Sequence, residues 1–218
     1  MKLSFSTRGW PRLTWQEMID RADEMDFQGV EIYHVTANSE LTDKGGPFHI
    51  YSVASSYRML REHDLTIPCF DSALDIAQAD DDAIDDVKAE IKLCRDMRSP
   101  YVAVWASCGE GQNVDDRITD AEANLKKLIP CAEESSVTIL IKTCGLFSST
   151  RKLRELLDKF ASDQIAVLWD VHHPYRDFGE TPAETITNLG AYVKHVHMRD
   201  SSSKDQFELI GEGDFPVD

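Results

Sequence analysis

The chain has 218 residues, 42% hydrophobic and 28% charged, a balance that suits one soluble globular domain with a full core. Its 39 acidic and 23 basic residues give a formal charge of −16 with no basic stripe, which sets it against nucleic acid or an anionic membrane as partner. Five cysteines (Cys69, Cys94, Cys108, Cys131, Cys144) form no Cys-x-x-Cys pair, and no apolar run reaches membrane-spanning length, so the expectation is a cytoplasmic protein with reduced thiols.

The N-terminal Met1-Lys2-Leu3-Ser4-Phe5 runs straight into a strand-like stretch at 3–7, followed by the turn Arg8-Gly9-Trp10-Pro11 and a capping box, Thr14-Trp15-Gln16-Glu17, that starts a helix. Strand-like runs recur at 29–34, 65–70, 101–106, 137–142, 165–170 and 193–197. Between them, 81–97, 115–134 and 150–160 carry apolar residues at helical spacing, for example Leu153, Leu156, Leu157 and Phe160. The acidic run Asp80-Asp81-Asp82-Ala83-Ile84-Asp85-Asp86 reads as a solvated helix N-terminus favoured by the helix dipole. A second capping box, Thr181-Pro182-Ala183-Glu184, has proline at the first helical position.

Seven strands alternating with helices at intervals of roughly 30 residues predict parallel strands with right-handed crossovers, in an open doubly wound sheet or a (β/α)₈ barrel. No phosphate-binding glycine fingerprint follows the first strand, and the chemical-looking residues follow many different strands, which favours the barrel. Strand alternation then points Glu31, Tyr33, Trp105, Lys142, Asp170 and His197 inward. Asp170, in Trp169-Asp170-Val171-His172-His173, and His197, in His195-Val196-His197-Met198-Arg199-Asp200, fall at the carboxyl ends of their strands, where α/β folds keep their chemistry.

These residues resemble the xylose-isomerase-like barrel of sugar isomerases and epimerases, which also holds ketose 3-epimerases and endonuclease IV. The markers are Gly29-Val30-Glu31, Lys142-Thr143-Cys144-Gly145, the two histidine-bearing runs above and Gly211-Glu212-Gly213-Asp214-Phe215. The resemblance covers most of the chain. It implies one xylose-isomerase-like barrel domain over 1–218 and a divalent metal (Mn, Mg, Co or Zn) held by Glu, Asp, His and Glu on strands five to eight. It also implies proton transfer beside the carbonyl of a ketose or sugar phosphate through a metal-stabilised enediolate. Residue by residue, Asp170 and His197 match two metal ligands and His173 matches the histidine that holds a substrate hydroxyl. The fifth-strand glutamate falls on Lys142, whose ammonium has no lone pair for a metal, and the sequence stops at Asp218 before an eighth strand. The expected fold is therefore a TIM-type barrel without its last β/α unit. Seven strands leave two open edges, which calls for further residues beyond Asp218 or for a second copy of the chain as partner; the former is expected.

Each residue also has a plainer reading. Asp170 would serve as a turn cap, but its pairing with His197 favours a site. His172 reads as structural or solvent-facing, and His195, one layer below His197, as support for it. Glu31 fits a substrate pocket and a barrel floor equally well, and Trp10 and Trp105 fit a sugar-binding wall or the core. Arg199 suits a substrate phosphate or carboxylate, or a surface salt bridge with Asp200. Lys142 has three readings: an ammonium replacing the metal, a neutral amine acting as base, or the mark of a catalytically impaired sugar-binding homologue. The least favoured alternative, an endonuclease-like metallohydrolase, needs a richer His/Glu cluster and a basic groove.

Overall fold

The protein is described from a computed structural model, which covers residues 2–160 and 162–216. Seven strands lie in one sheet in chain order. They are β1 (Ser4–Ser6), β2 (Gly29–Tyr33), β3 (Cys69–Asp75), β4 (Tyr101–Ala106), β5 (Thr138–Gly145), β6 (Ile165–Asp170) and β7 (Val193–His197). The pairings of β1 with β2, β2 with β3, β5 with β6 and β6 with β7 are all parallel, and helices fill the crossovers, as the alternation predicts. The chain gathers into two compact units, Met1–Ala73 with Asp81–Ala103 and Pro130–Thr138, and Leu74–Asp80 with Val104–Ile129 and Ile139–Asp218.

In the first unit, α1 (Trp15–Glu24) starts at the predicted capping box: the Thr14 side chain accepts from the Glu17 N–H, and the Glu17 carboxylate accepts from the Thr14 N–H. After β2 come α2 (Ser39–Thr42) and α3 (Val53–Glu62). The third strand starts four residues later than its apolar run suggests and continues through Asp75. Thr66 makes only an isolated bridge with Gly29, and Pro68 has no N–H to give a ladder. The long helix α4 (Asp81–Met97) has exposed aspartates in its first turn and buries Ile84, Val87, Ile91, Cys94 and Met97. The core of this unit includes Ile19, Val30, Ile32, Leu60 and Phe70.

The second unit holds most of α5 (Val114–Ser135), then α6 (Thr150–Leu157), which buries Leu153, Leu156 and Leu157 while Phe160 falls beyond it. Two helices, α7 (His172–Phe178) and α8 (Pro182–Leu189), connect β6 to β7. The second predicted capping box, Thr181 with Glu184, opens α8 with Pro182 in its first turn. The fifth strand runs three residues past Lys142 to Gly145, so Lys142 is not the strand's last residue. Gly145 has φ +58°, and a Cβ there would collide with the Ala106 carbonyl and touch the Trp105 ring, so β4 and β5 approach closely only because this position is glycine. After β7 comes a short antiparallel pair, β8 (Asp200–Ser201) with β9 (Phe207–Glu208), that the sequence pattern did not suggest. Residues 211–214 do not open a helix and instead form turns around Asp200; 217–218 lie outside the described residues.

Candidate functional site

Register across β5, β6 and β7 sets the site in two rows. Lys142 pairs with Leu168 and Leu168 with His195, while two residues further along Asp170 pairs with His197. Register partners on parallel strands share a face, so Lys142 and His195 lie one layer below Asp170 and His197. A register shift between Val167 and Leu168 creates the upper row. Continued without it, the Val167–Val193 pairing would set Asp170 against Val196, whose side chain points to the other face. Along β7, Val193, His195 and His197 are half-buried while Lys194 and Val196 are exposed. The rings of His195 and His197 lie edge to face with centroids 5.5 Å apart, and each offers a ligand atom within 4.8 Å of the other's.

Asp170 is buried, and both its carboxylate oxygens are engaged. Oδ2 accepts from the Arg199 guanidinium at 2.5 Å, and Oδ1 accepts from the His172 N–H at 3.1 Å. The Thr143 hydroxyl grips the Asp170 backbone from both sides, accepting from its N–H at 2.9 Å and donating to its carbonyl at 3.0 Å. Asp170 is thus both a turn cap and one half of an ion pair. The alternative of Arg199 paired with Asp200 is overturned: the guanidinium lies on Asp170 and over the Phe207 ring. Asp200 is instead buried and accepts backbone N–H bonds from Ser201, Gly211, Gly213 and Phe215 at 2.7–3.1 Å. Burial pushes its carboxyl up, but these four donors outweigh that and hold it below the usual carboxylate range.

His172 is structural. Its Nε2 faces the Lys204 carbonyl at 3.1 Å, which only accepts, so the proton sits on Nε2 and Nδ1 accepts from the Ser201 hydroxyl at 3.1 Å. That hydroxyl in turn accepts from Arg176 Nε at 2.8 Å. Burial, followed by the neighbouring His173, lowers the His172 pKa, in keeping with a neutral ring. His173 is half-buried on the first turn of α7, with Nδ1 3.5 Å from the Asp177 carboxylate. Asp177 accepts from the Ser148 hydroxyl at 2.9 Å and pairs with Lys204 at 2.7 Å, which fixes the acid that orients His173. Burial raises the Asp177 pKa, but Lys204 and Ser148 bring it below its ordinary value.

Of the residues singled out in the sequence, the second unit brings together Lys142, Asp170, His197 and Arg199, with His173 on the helix that follows β6. Lys142 is 7% exposed, and Trp105 is half-buried beside Gly145. Glu31 lies in the first unit, buried on β2 between the fully buried Val30 and Ile32. Tyr33, also in that unit, lies under the Arg8 guanidinium, and Trp10 packs on Phe5 with ring centroids 4.5 Å apart. Sequence reasoning missed Thr143, Arg176 and Ser201, which hold the site residues through backbone and hydroxyl contacts and show no spacing pattern. The glycines of 211–213 were a usable signal for Asp200, because a Cβ on Gly213 would collide with its carboxylate.

The donor set fits a divalent ion in part. Asp170 and His197 offer a carboxylate and an imidazole in one row, a mixed oxygen and nitrogen set that suits Mn, Mg, Co or Zn. Two cations, Lys142 and Arg199, stand where such a site gains from more carboxylate, and Arg199 occupies one oxygen of Asp170.

Known proteins bear on this arrangement. A probable endonuclease 4 of Persephonella marina is 22% identical over 231 residues, spanning 95% of this chain and 70% of that protein. Among solved structures, the IOLI protein with a bound zinc atom superposes with a TM-score of 0.83 at 14% identity, covering 100% of this chain and 82% of its own. A D-tagatose 3-epimerase-like protein gives a TM-score of 0.79 at 17% identity, covering 99% and 83%. The family model of the xylose isomerase-like TIM barrel matches residues 19–218. With that match over most of its length, and seven strands alternating with helices, the chain belongs to the xylose isomerase-like TIM-barrel family.

Proposed function

We propose that the protein binds a small polyhydroxylated carbonyl compound, a ketose or a sugar phosphate, and moves a proton on the carbon beside its carbonyl, as a sugar isomerase or epimerase does. The row formed by Asp170 and His197 at the ends of β6 and β7 carries the reading. The D-tagatose 3-epimerase-like and zinc-bearing neighbours support it by analogy of fold.

Asp170 and His197 would hold the divalent ion, with the His195 ring packed edge-on against His197 to fix its orientation. When bound, the ion supplies Lewis-acid polarisation of the substrate's oxygens. His173, oriented by Asp177, donates to or accepts from a substrate hydroxyl. Lys142 supplies a positive charge to an oxygen that gains charge as the proton passes from carbon to the His173 imidazole, which returns it to complete the reaction. Arg199 balances Asp170 and is about one-third exposed, so it also reaches an anionic group on the substrate. Trp105 offers a flat apolar face to the sugar.

A second reading, a sugar-binding homologue impaired in catalysis, is favoured by the near-complete burial of Lys142 at the strand position where the family places a glutamate. Proton exchange distinguishes the two. Wild type and Lys142→Glu are incubated in D₂O with Mn²⁺ and a panel of ketoses and their phosphates, and NMR follows deuterium at the carbon beside the carbonyl. The isomerase reading expects exchange in wild type that falls about 100-fold in Lys142→Glu, because the substitution removes the cation facing the developing oxyanion. Sugar binding without exchange in either form supports the second reading, and no sugar binding at all defeats both. An abasic-site duplex is the nucleic-acid arm, and the −16 charge predicts that it is not cut.

A further inference from the structure

In the first unit, at the amino-terminal end of β3, lies a cleft of about 340 Å³. Its floor is apolar: Leu60, Leu65, Ile67 and Met97 are all buried. Its walls carry Lys2, Arg61 and Arg98, all exposed, and a single acid, Asp64. Three positive charges against one negative is a local reversal in a chain of net charge −16.

None of these three cations forms an ion pair among the described residues. Cations elsewhere commonly find carboxylates: Arg21 pairs with Glu24, Arg154 with Asp158 and Lys159 with Glu122. Arg98 is held by a different contact, its guanidinium lying 4.9 Å from the centroid of the Tyr57 ring. That stacking leaves its N–H edge for a ligand. Helix dipoles favour a cation at the end of α3 and another at the end of α4, and so account for Arg61 and Arg98 taken singly. They do not account for Lys2, which arrives from in front of β1 and completes the triad.

We propose that this cleft binds a phosphate monoester. The doubly charged phosphoryl group meets Lys2, Arg61 and Arg98, and the organic part lies against Tyr57 and the apolar floor. A cleft of this size suits a small metabolite, and arginine's fork matches a phosphoryl group through paired N–H donors. None of the cleft's residues is among those given a role in the isomerase chemistry, so the proposal neither requires nor excludes that chemistry.

The test is a protein-observed NMR titration at low ionic strength with adenosine 5′-monophosphate, adenosine and inorganic phosphate. The monophosphate should saturate the cleft's backbone signals at or below about 1 mM. Inorganic phosphate should bind more weakly, and adenosine should give no saturable shift. The double variant Arg61→Gln/Arg98→Gln should weaken the monophosphate about tenfold or more, and Asp64→Asn should tighten it. All three positions are exposed, and a thermal melt of each variant checks the fold. Should the double variant fail to fold, Lys2→Gln serves as the replacement and should also weaken binding. No saturation by about 10 mM, equal binding of adenosine, or unchanged affinity in the variants overturns the proposal. Inorganic phosphate binding as tightly as the monophosphate removes the role given to Tyr57 and the apolar floor.

Discussion

Glu90 in the first unit and Asp200 in the second are both buried carboxylates, yet their surroundings drive them in opposite directions. Asp200 collects four backbone N–H donors and stays charged below the usual carboxylate range. Glu90, on α4, receives one long bond from the Thr36 N–H at 3.4 Å, and its Oε2 has no hydrogen-bond partner among the described residues. Burial pushes its pKa up to about 7, with the charges of Asp71 and Asp86 adding to the effect against the Thr36 bond. Burial alone therefore does not decide whether a carboxylate is charged; the number of donors aimed at it does.

The largest effect expected from this contrast is on stability against pH. The proton on Glu90 is bound more tightly in the folded state than its ordinary 4.5, so its contribution is full below about pH 4.5 and is lost as pH rises through about 7. Wild type should lose about 3 kcal/mol over that window relative to Glu90→Gln, whose amide does not titrate there. Denaturant unfolding of both proteins at pH 5 and pH 8 reads the difference, and identical slopes would break the comparison.

Asp200→Ala comes next. With their acceptor gone, the amides of Gly211, Gly213 and Phe215 should exchange with deuterium much faster, and Tm should fall by several degrees. Protection that survives the substitution would mean that the turns stand without the carboxylate. In wild type the Asp200 contribution has the opposite sign to that of Glu90: it is present above the ordinary carboxylate pKa and is lost as pH falls through its lowered value. Smallest are the two capping boxes, one in each unit. Thr14→Ala and Thr181→Ala should each cost about 1 kcal/mol, and a large inequality between them would show that the units respond differently to the same local loss.

Local chemistry made much of the fold legible. Both capping boxes, five of the seven strands to within a residue at each end, and the α4 boundaries follow from residue spacing. The late start of β3 and the extension of β5 to Gly145 were hidden, because Pro68 and the polar residues at the strand ends disguise where the ladder runs. At the site, alternation correctly put Asp170 on the same face as His197, and His195 one layer below. Three features depend on contacts between residues far apart in the chain, which spacing does not report: the register shift that aligns them, the Thr143 grip on the Asp170 backbone and the Arg199 ion pair.

The central claim is that Asp170 and His197 form the working pair of the site. Dialysis against Mn²⁺ followed by elemental analysis of wild type, Asp170→Asn, His197→Ala and His173→Ala tests it most directly. The account predicts an ion in near-stoichiometric amount in wild type and in His173→Ala, and its loss in the other two variants. An ion retained equally by all four proteins, or by none, would contradict it.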